Sequence, residues 1–309
     1  MKTEIYYGKA EVGTYRTYAA PLAGVAPVPE SSFSGRANVL LAADIEVQVL
    51  GETFLAAYTE GDNRLVVATD TMKNFIHRES LAFAGSTLEA WLLFIGRRFL
   101  ETYPHMERLR VIGTEIPFEP AVVPAGDGDG FVASEVLFER AHGDRSNASL
   151  ELGRRADGTV ELTGLRAGRQ QLQLMKVTGS SFADFARDSY TTLPERRDRP
   201  LYIHLDVGWQ YADPADGAAD DPARYVAGEQ VADVVASVFH QFVSLSIQHL
   251  VHQIGLRLLE RFGQLAEVSF EAQNRLWDTA VTSDGDERLR VYCDPRPPFG
   301  RIGLVMRRD

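Results

Sequence analysis

The second half of this sequence repeats a helical pattern found in the first half. The segment Thr87–Tyr103 returns as Ser246–Phe262, with an offset in numbering of 246 − 87 = 159. A shorter match joins Asp70–His77 to Asp233–His240 with an offset of 233 − 70 = 163, which predicts a loss of four residues between the two matches. A period of half the chain predicts two similar modules and argues against a solenoid of short units.

Composition and charge limit the partners of such a chain. Its 309 residues are 45% hydrophobic and 24% charged, which suffices for the cores of two domains. The net charge of −11 and the absence of a long basic run argue against nucleic acid and against an anionic membrane as partners. An anionic substrate would therefore need a local positive site.

Cysteine content and targeting signals predict a reducing compartment. Cys293 is the only cysteine, which excludes an internal disulfide framework and a multi-cysteine metal site. No apolar stretch approaches the length of about 18 residues that spans a membrane. Neither a signal-like amino terminus nor a peroxisomal address is evident. We therefore expect a cytoplasmic protein with no membrane partner.

Each half of the sequence predicts two strands, two helices and two more strands. In the first half the strands are expected near Ile5–Tyr18, Asn38–Thr59, Glu107–Gly113 and Phe131–Arg140, and the helices near Asp70–His77 and from a capping box at Ser86 to Tyr103. In the second half the strands are expected near Leu172–Val177, Leu201–Trp209, Leu265–Gln273 and Arg288–Cys293, and the helices near Ala227–Phe242 and Leu245–Phe262. The predicted modules are residues 1–143 and 144–309.

This order of elements predicts an α+β fold, because no strand alternates singly with a helix. Two antiparallel four-stranded sheets with helices on one face fit the pattern. Such a sheet leaves an unpaired edge, which invites pairing with a second module or subunit. Assembly into a barrel would remove those edges.

Several short segments carry a resemblance to a known family. They are Tyr7-Gly8-Lys9, Val67–Asn74, Arg187–Leu193, Asp198-Arg199 and Ser246-Ile247-Gln248. Together they resemble the urate oxidase (uricase) family, and the chain is similar to bacillus-type bacterial uricases. The resemblance covers nearly the whole chain, including Glu115–Phe118 and Pro295–Pro298.

The resemblance implies a fold, an assembly and a reaction. Uricases have two tandem tunnelling-fold (T-fold) modules per chain and form a homotetramer whose sheets close into barrels. They oxidise urate with O2 and water to 5-hydroxyisourate and H2O2, with no metal or organic cofactor. Urate and O2 are therefore the expected partners of this chain.

The resemblance also implies that Arg199 and Gln248 bind the purine. A planar guanidinium donates paired hydrogen bonds to an anionic heterocycle, whereas a carboxamide both donates and accepts. Without the resemblance, both side chains would be interpreted as facing water. Glu89 occupies the repeat position of Gln248, so the first module is predicted to keep the fold and change this anchor.

Three apolar residues match the family's substrate walls. Phe182 matches the phenylalanine that stacks on the substrate, and Leu193 and Ile247 match its apolar sides. A flat ring stacks well on a flat heterocycle, and apolar walls keep water from reactive intermediates. An ordinary core role is the alternative, above all for Leu193 and Ile247.

Thr69 and Asp70 open a predicted helix, where free N–H groups and the helix dipole favour an anion. The resemblance implies that both contact the five-membered ring of urate from a neighbouring subunit. It also implies that Lys9 pairs with Thr69 and acts as a base through the threonine hydroxyl. The ordinary alternatives are a helix cap for Asp70 and a solvated Lys9.

Asn274 matches the asparagine that holds O2 or water above the urate plane. Many uricases place a histidine two residues later, whereas this chain has Leu276. The proton route is therefore open, and a catalytically silent purine-binding relative is one alternative.

A metal-dependent T-fold enzyme acting on a pterin or another purine is the other alternative. His249 and His252 share a helix face at a spacing that could bind a metal, and His240 lies one helix earlier. No third ligand is evident, and the ring of His249 should point away from Gln248. The sequence has no phosphate-binding glycine loop, dinucleotide fingerprint or serine nucleophile elbow.

Overall fold

A single large antiparallel sheet organises the chain. The computed structural model describes residues 3–126, 128–219, 221–275, 277–293 and 296–308. The strands are β1 (Tyr6–Thr17), β2 (Leu22–Ala23), β3 (Gly35–Arg36), β4 (Leu40–Leu50), β5 (Arg108–Glu115), β6 (Phe118–Pro124), β7 (Phe131–Arg140), β8 (Arg145–Arg154), β9 (Val160–Lys176), β10 (Leu201–Tyr211), β11 (Leu265–Arg275), β12 (Thr279–Thr282), β13 (Arg290–Tyr292) and β14 (Gly300–Arg307). The α-helices are α1 (Leu55–Thr59), α2 (Thr69–Ala82), α3 (Leu88–Thr102), α4 (Ala215–Ala218), α5 (Gly228–Gln241) and α6 (Ile247–Arg261).

Eight strands form the sheet in the order β1-β4-β5-β8-β9-β10-β11-β14. The first four come from the first half of the chain and the last four from the second half. The antiparallel pair β8–β9 joins the two halves into one continuous surface. Each half thus contributes two strands, two helices and two strands, and the prediction of a mixed α+β fold with antiparallel sheets is confirmed.

The long helices pack on the sheet from each half. Helix α2 contacts β1, α3 contacts β5 and β8, α5 contacts β9, and α6 contacts β11 and β14. Alternate residues of β4, such as Ile45, Val47 and Val49, are fully buried in one core with these helices. The residues between them are polar, and the Gln48 amide donates to the Glu46 carboxylate on the opposite face. Period-two alternation therefore separates an apolar helix-covered face from a polar face.

Helix α3 has its N-cap one residue after Ser86, where the predicted capping box begins. Thr87 is the N-cap, and its hydroxyl accepts a hydrogen bond from the Ala90 backbone N–H at 3.2 Å. Ser246 caps α6 in the same way by accepting from the His249 N–H at 3.1 Å. Both halves therefore satisfy an unpaired backbone donor with a side-chain hydroxyl at the same repeat position.

The structure corrects the second of the two repeat offsets. Helices α2 and α5 begin at Thr69 and Gly228, so they share the offset of the other helix pair (228 − 69 = 159). The error of four residues is about one helical turn. A shift of one turn keeps apolar and polar side chains on the same faces of the helix, so the two segments still match in sequence. Asp70 therefore corresponds to Glu229, and the match with Asp233 is wrong.

Two glycines hold matching positions in the other helix pair, α3 and α6. A Cβ atom added to Gly96 in α3 would lie 2.8 Å from a Leu152 methyl group, and one added to Gly255 in α6 would lie 2.4 Å from the Met306 sulfur. Gly255 follows Gly96 at the same offset (255 − 96 = 159). In each half, the missing side chain lets the helix approach the fourth strand of the sheet closely.

In each half, the segment predicted as the fourth strand of the sheet lies outside the eight-stranded sheet. Residues 131–140 form β7 in a two-stranded ribbon with β6, and residues 290–292 form β13 in a ribbon with β12. The fourth sheet positions belong to β8 and β14. Ribbon strands and sheet strands are enriched in the same β-branched and aromatic residues, so composition predicts a strand without its partner.

Two further details concern lengths and boundaries. Residues 55–59, predicted as the end of a strand, form the short helix α1, and the predicted strand Leu172–Val177 is the end of the longer β9. The division at residues 143 and 144 stays a prediction, although β8 completes the first half of the sheet after that point. Across the described ranges, no helix has both the length and the apolar character needed to cross a membrane.

Candidate active site

A cavity of about 340 Å³ lies where β10 begins and β11 ends. Leu193, Arg199 and Asn274 all line it, as do the rings of Trp277 and Tyr292. Those two rings stack with their centroids 5.0 Å apart and form one wall. The structure therefore brings three sequence-predicted site residues together and adds an aromatic wall that the sequence analysis did not single out.

Phe182 supports Arg199 from a loop held by backbone hydrogen bonds. The Phe182 N–H donates to the Arg196 carbonyl at 2.7 Å, and the Arg199 N–H donates to the Ser180 carbonyl at 2.8 Å. The Arg199 guanidinium carbon then lies 5.5 Å from the centre of the Phe182 ring. This cation–π contact fixes a flat ring beside a flat cation.

The electrostatics of the cavity suit a polar, planar anion. Burial lowers the pKa of the Arg199 guanidinium from its usual value. Among the described residues, neither the Arg199 Nε nor the Asn274 Oδ1 has a hydrogen-bond partner, although both atoms are buried. A buried polar atom without a partner calls for an explanation, and a bound ligand that supplies the missing hydrogen bond is one.

The same loop reaches the start of α6. The Ser181 N–H donates to the Ser244 carbonyl at 2.8 Å, two residues before the Ser246 cap. Ile247 begins α6 with only 4% of its surface exposed, and the next residue, Gln248, is exposed. We call Phe182, Leu193, Arg199, Ile247, Gln248 and Asn274 the arginine half-site.

The remaining predicted residues form a second group around β1 and the start of α2. Gly8 lets the two strands approach, since a Cβ atom there would lie 1.8 Å from the Val47 carbonyl oxygen. The Val67 N–H donates to the Tyr7 hydroxyl at 2.9 Å, which ties the loop before α2 to β1. Lys9 follows on β1 and is half-buried.

Thr69 and Asp70 form the exposed first turn of α2. Lys73 Nζ donates to the Asp70 carboxylate at 2.5 Å and Asn74 donates at 3.1 Å. The hydrogen bond from Lys73 is the main cause that lowers the pKa of Asp70, and the charge of Lys9 contributes. We call Lys9, Thr69 and Asp70 the lysine half-site.

One chain does not bring the two half-sites together. Strand β1 and strand β11 are separated by six strand-to-strand steps, or about 29 Å along the sheet. In the described part of the chain, no hydrogen bond, ion pair or ring contact joins them. The two half-sites of one chain are therefore too far apart to contact the same small molecule.

Three residues to which the sequence analysis gave no role in a site meet between the halves of the chain. Arg36 on β3 binds Glu115 on β5 at 2.8 Å and Glu229 in the first turn of α5 at 3.2 Å. The constant repeat offset could have revealed Glu115, because it matches Asn274 (274 − 115 = 159). Arg36 lies in a loop of different length and has no such signal.

The histidines do not assemble a metal site in the described residues, where no group of three or more His, Cys, Asp or Glu side chains could hold an ion. The His249 ring lies edge-on to Phe242 with the centroids 5.1 Å apart. Leu276, at the position where many uricases have a histidine, lies outside the described residues.

The fold and the cavity together define a duplicated antiparallel α+β protein with a site suited to a small planar anion. The family model named Uricase matches residues 41–142 and 165–303. The chain belongs to the uricase family.

Individual relatives agree with this family. A uricase of Haloferax volcanii is 50% identical over 294 residues, which cover 95% of each chain. The uric acid degradation bifunctional protein of Bacillus subtilis is 46% identical over 309 residues, which are 100% of this chain and 62% of that protein. The chain thus spans about three fifths of that longer relative. The urate oxidase structure of Bacillus sp. TB-90 superposes with a TM-score of 0.95 at 43% identity, covering 99% of this chain and 100% of the other.

Proposed function

We propose that this protein is a urate oxidase, which converts urate, O2 and water to 5-hydroxyisourate and H2O2. The observation that carries the proposal is the half-buried Arg199 guanidinium beside Phe182, in a cavity where its Nε and the Asn274 Oδ1 have no partner within the described residues. Membership of the uricase family supports the same substrate.

The arginine half-site binds and orients the substrate. Arg199 donates paired hydrogen bonds to the urate anion, and the Gln248 amide matches a neighbouring C=O and N–H pair. Phe182 stacks on the ring, while Leu193 and Ile247 limit water at the reacting carbon. These contacts hold an electron-rich anion in one orientation next to O2.

Urate and O2 account for all of the electrons in the redox step. Urate gives up two electrons and O2 accepts them, an oxygen bond forms at ring carbon C5, and water then displaces hydrogen peroxide. Asn274 holds O2 or water above the ring plane, and Lys9 takes a proton through the Thr69 hydroxyl. No metal or organic cofactor is needed for this electron balance, so we propose a cofactor-free reaction.

A complete site in this account combines the two half-sites from different chains. Inside one chain, Glu229 at the start of α5 binds Arg36 at 3.2 Å. Glu229 matches Asp70 in the repeat, and the two arginines lie before corresponding strands, Arg36 four residues before β4 (40 − 36 = 4) and Arg199 two residues before β10 (201 − 199 = 2). The same pairing between two chains would place Thr69 and Asp70 against Arg199.

The assembly we propose is a homotetramer of T-fold modules. Strands β1 and β14 form the two edges of the eight-stranded sheet. Pairing between copies would close these edges into barrels and would bring the half-sites of neighbouring chains together. A cytoplasmic location stays a prediction from the sequence.

The direct test is O2 uptake with urate in the presence of EDTA. We expect O2 consumption that depends on urate, with one H2O2 formed per O2 consumed. Loss of activity with EDTA and its return with one added metal would favour a metal-dependent relative instead. Urate binding without O2 uptake would favour a silent purine-binding protein.

A further inference from the structure

A buried cluster of polar side chains joins the two halves of the chain. Its centre is Glu89, the second residue of α3, which is only 2% exposed and shares a hydrogen bond with Tyr225. The Arg36 guanidinium lies beside it and binds Glu115 and Glu229. We call Arg36, Glu89, Glu115 and Glu229 the closed site.

Each member of the closed site has a counterpart in one of the two half-sites. The pairs are Glu89 with Gln248 (248 − 89 = 159), Glu115 with Asn274 (274 − 115 = 159), Glu229 with Asp70 (229 − 70 = 159), and Arg36 with Arg199 just before corresponding strands. The strand register agrees, because Ala43 faces Glu115 on β5 and Ile203 faces Asn274 on β11. The duplication therefore produced the same arrangement twice.

We infer that the junction between the two halves is a second copy of the substrate site, which the chain fills with its own carboxyl groups. In the arginine half-site the guanidinium Nε and an amide oxygen lack partners among the described residues. In the closed site the Arg36 Nε also lacks a partner among the described residues, but the Nη1 of the same guanidinium binds both Glu115 and Glu229. An anionic substrate would have to displace these carboxylates, so each chain keeps one substrate site. This inference rests on the proposed function only for the identity of that substrate.

Burial favours the neutral form of Glu89, whereas the nearby charges act in both directions. The charged and titratable groups that surround it are Arg36 on β3, Glu115 on β5, Tyr225 in the connection before α5, Glu229 in the first turn of α5, Tyr211 on β10, and behind them Arg169 and Asp144. The charge of Arg36 and the hydrogen bond with Tyr225 lower the pKa of Glu89, whereas the charge of Glu115 raises it. Burial is the main cause that raises the pKa of Glu89 to about 7.

Protonation of Glu89 couples the closed site to pH. Its pKa rises from 4.5 to about 7 on folding, so the folded chain binds more protons between those values. The contribution of Glu89 to the free energy of unfolding is therefore fully present below pH 4.5, and it is lost as the pH rises through 7. Between pH 5 and pH 8 this group should lower the folding equilibrium constant about 70-fold.

Glu89→Gln tests the inference without using urate. The amide copies the shape of a neutral carboxyl group and restores the residue type of Gln248. We expect urea unfolding of wild type to become easier from pH 5 to pH 8 and the variant to lose most of this dependence. Glu101→Gln, on the exposed side of the same helix, is the matched control and should keep the wild-type dependence. A Glu89→Gln chain that follows pH as steeply as wild type would overturn the inference.

Two further measurements on the wild-type protein test the inference if the Glu89→Gln variant does not fold. Infrared spectra of wild type should show one buried carboxylic acid that titrates near pH 7, and its absence would contradict the neutral Glu89. Equilibrium dialysis with urate under nitrogen should give one urate per chain, whereas two would contradict a closed second copy. A chain that binds no urate contradicts the proposed function, while the unfolding comparison still decides on the closed site.

Discussion

Lys9→Met is expected to lower kcat/KM for urate by about two to four orders of magnitude, the usual effect of removing a positioned general base. Lys9 is half-buried on β1, and its charge reaches Asp70 at the start of α2. Methionine keeps the unbranched apolar stem and removes the amine. The loss should therefore appear in catalysis, measured as O2 uptake across a range of pH, with little change in the melting temperature.

Lys9→Arg separates proton transfer from charge. Arginine keeps the positive charge but does not give up its proton in proteins, so it should be nearly as inactive as methionine. Lys176→Met is a control for lysine removal, because Lys176 Nζ donates to carbonyls at the end of α5 and lies outside both half-sites. It should lower the melting temperature and keep the pH profile. A Lys9→Arg chain close to wild type would contradict a role as base.

Periodicity predicted the elements of the sheet better than their partners. The helices α3, α5 and α6 and the strands β1, β5, β10 and β11 lie within a few residues of their predicted places. The apolar face of each of these elements is set by the spacing of apolar residues in its own sequence. Hydrophobic periodicity therefore predicts the element without knowledge of its neighbours. The prediction of the fourth strand in each half was wrong, because ribbon strands and sheet strands share the same β-branched and aromatic residues and differ only in their partners.

The predicted site residues came from the family resemblance, and spacing alone does not place them. Phe182 and Arg199 are well separated in sequence (199 − 182 = 17), and the segment between them has no helix or strand of the sheet. Backbone hydrogen bonds to Ser180 and Arg196 bring them together. Such loop geometry depends on contacts that no periodic pattern encodes.

The closed site shows a second limit of sequence analysis. The repeat identified Glu89 as the counterpart of Gln248, so a change of anchor could be predicted. The Arg36–Glu229 ion pair could not, because its two members lie far apart in the sequence (229 − 36 = 193). The error of one helical turn in α5 also hid the match between Glu229 and Asp70.

The second large effect concerns the division of the site between chains. Thr69→Ala damages the lysine half-site and Arg199→Ala damages the arginine half-site, so each chain alone should be nearly inactive. Thr69 is exposed and Arg199 lies at the cavity, so neither change should disturb the core. When both chains assemble together, some sites combine an intact lysine half-site from one with an intact arginine half-site from the other.

Co-expression of these two chains with different tags tests the central claim most directly. After purification through both tags, urate-dependent O2 uptake should recover to about a quarter of the wild-type sites in an equal random mixture. Arg199→Ala mixed with Asn274→Ala is the matched control, because both changes damage the same half-site and no combination restores it. Recovery only in the first mixture is the result predicted here. A mixture no more active than either parent would contradict a site shared between chains.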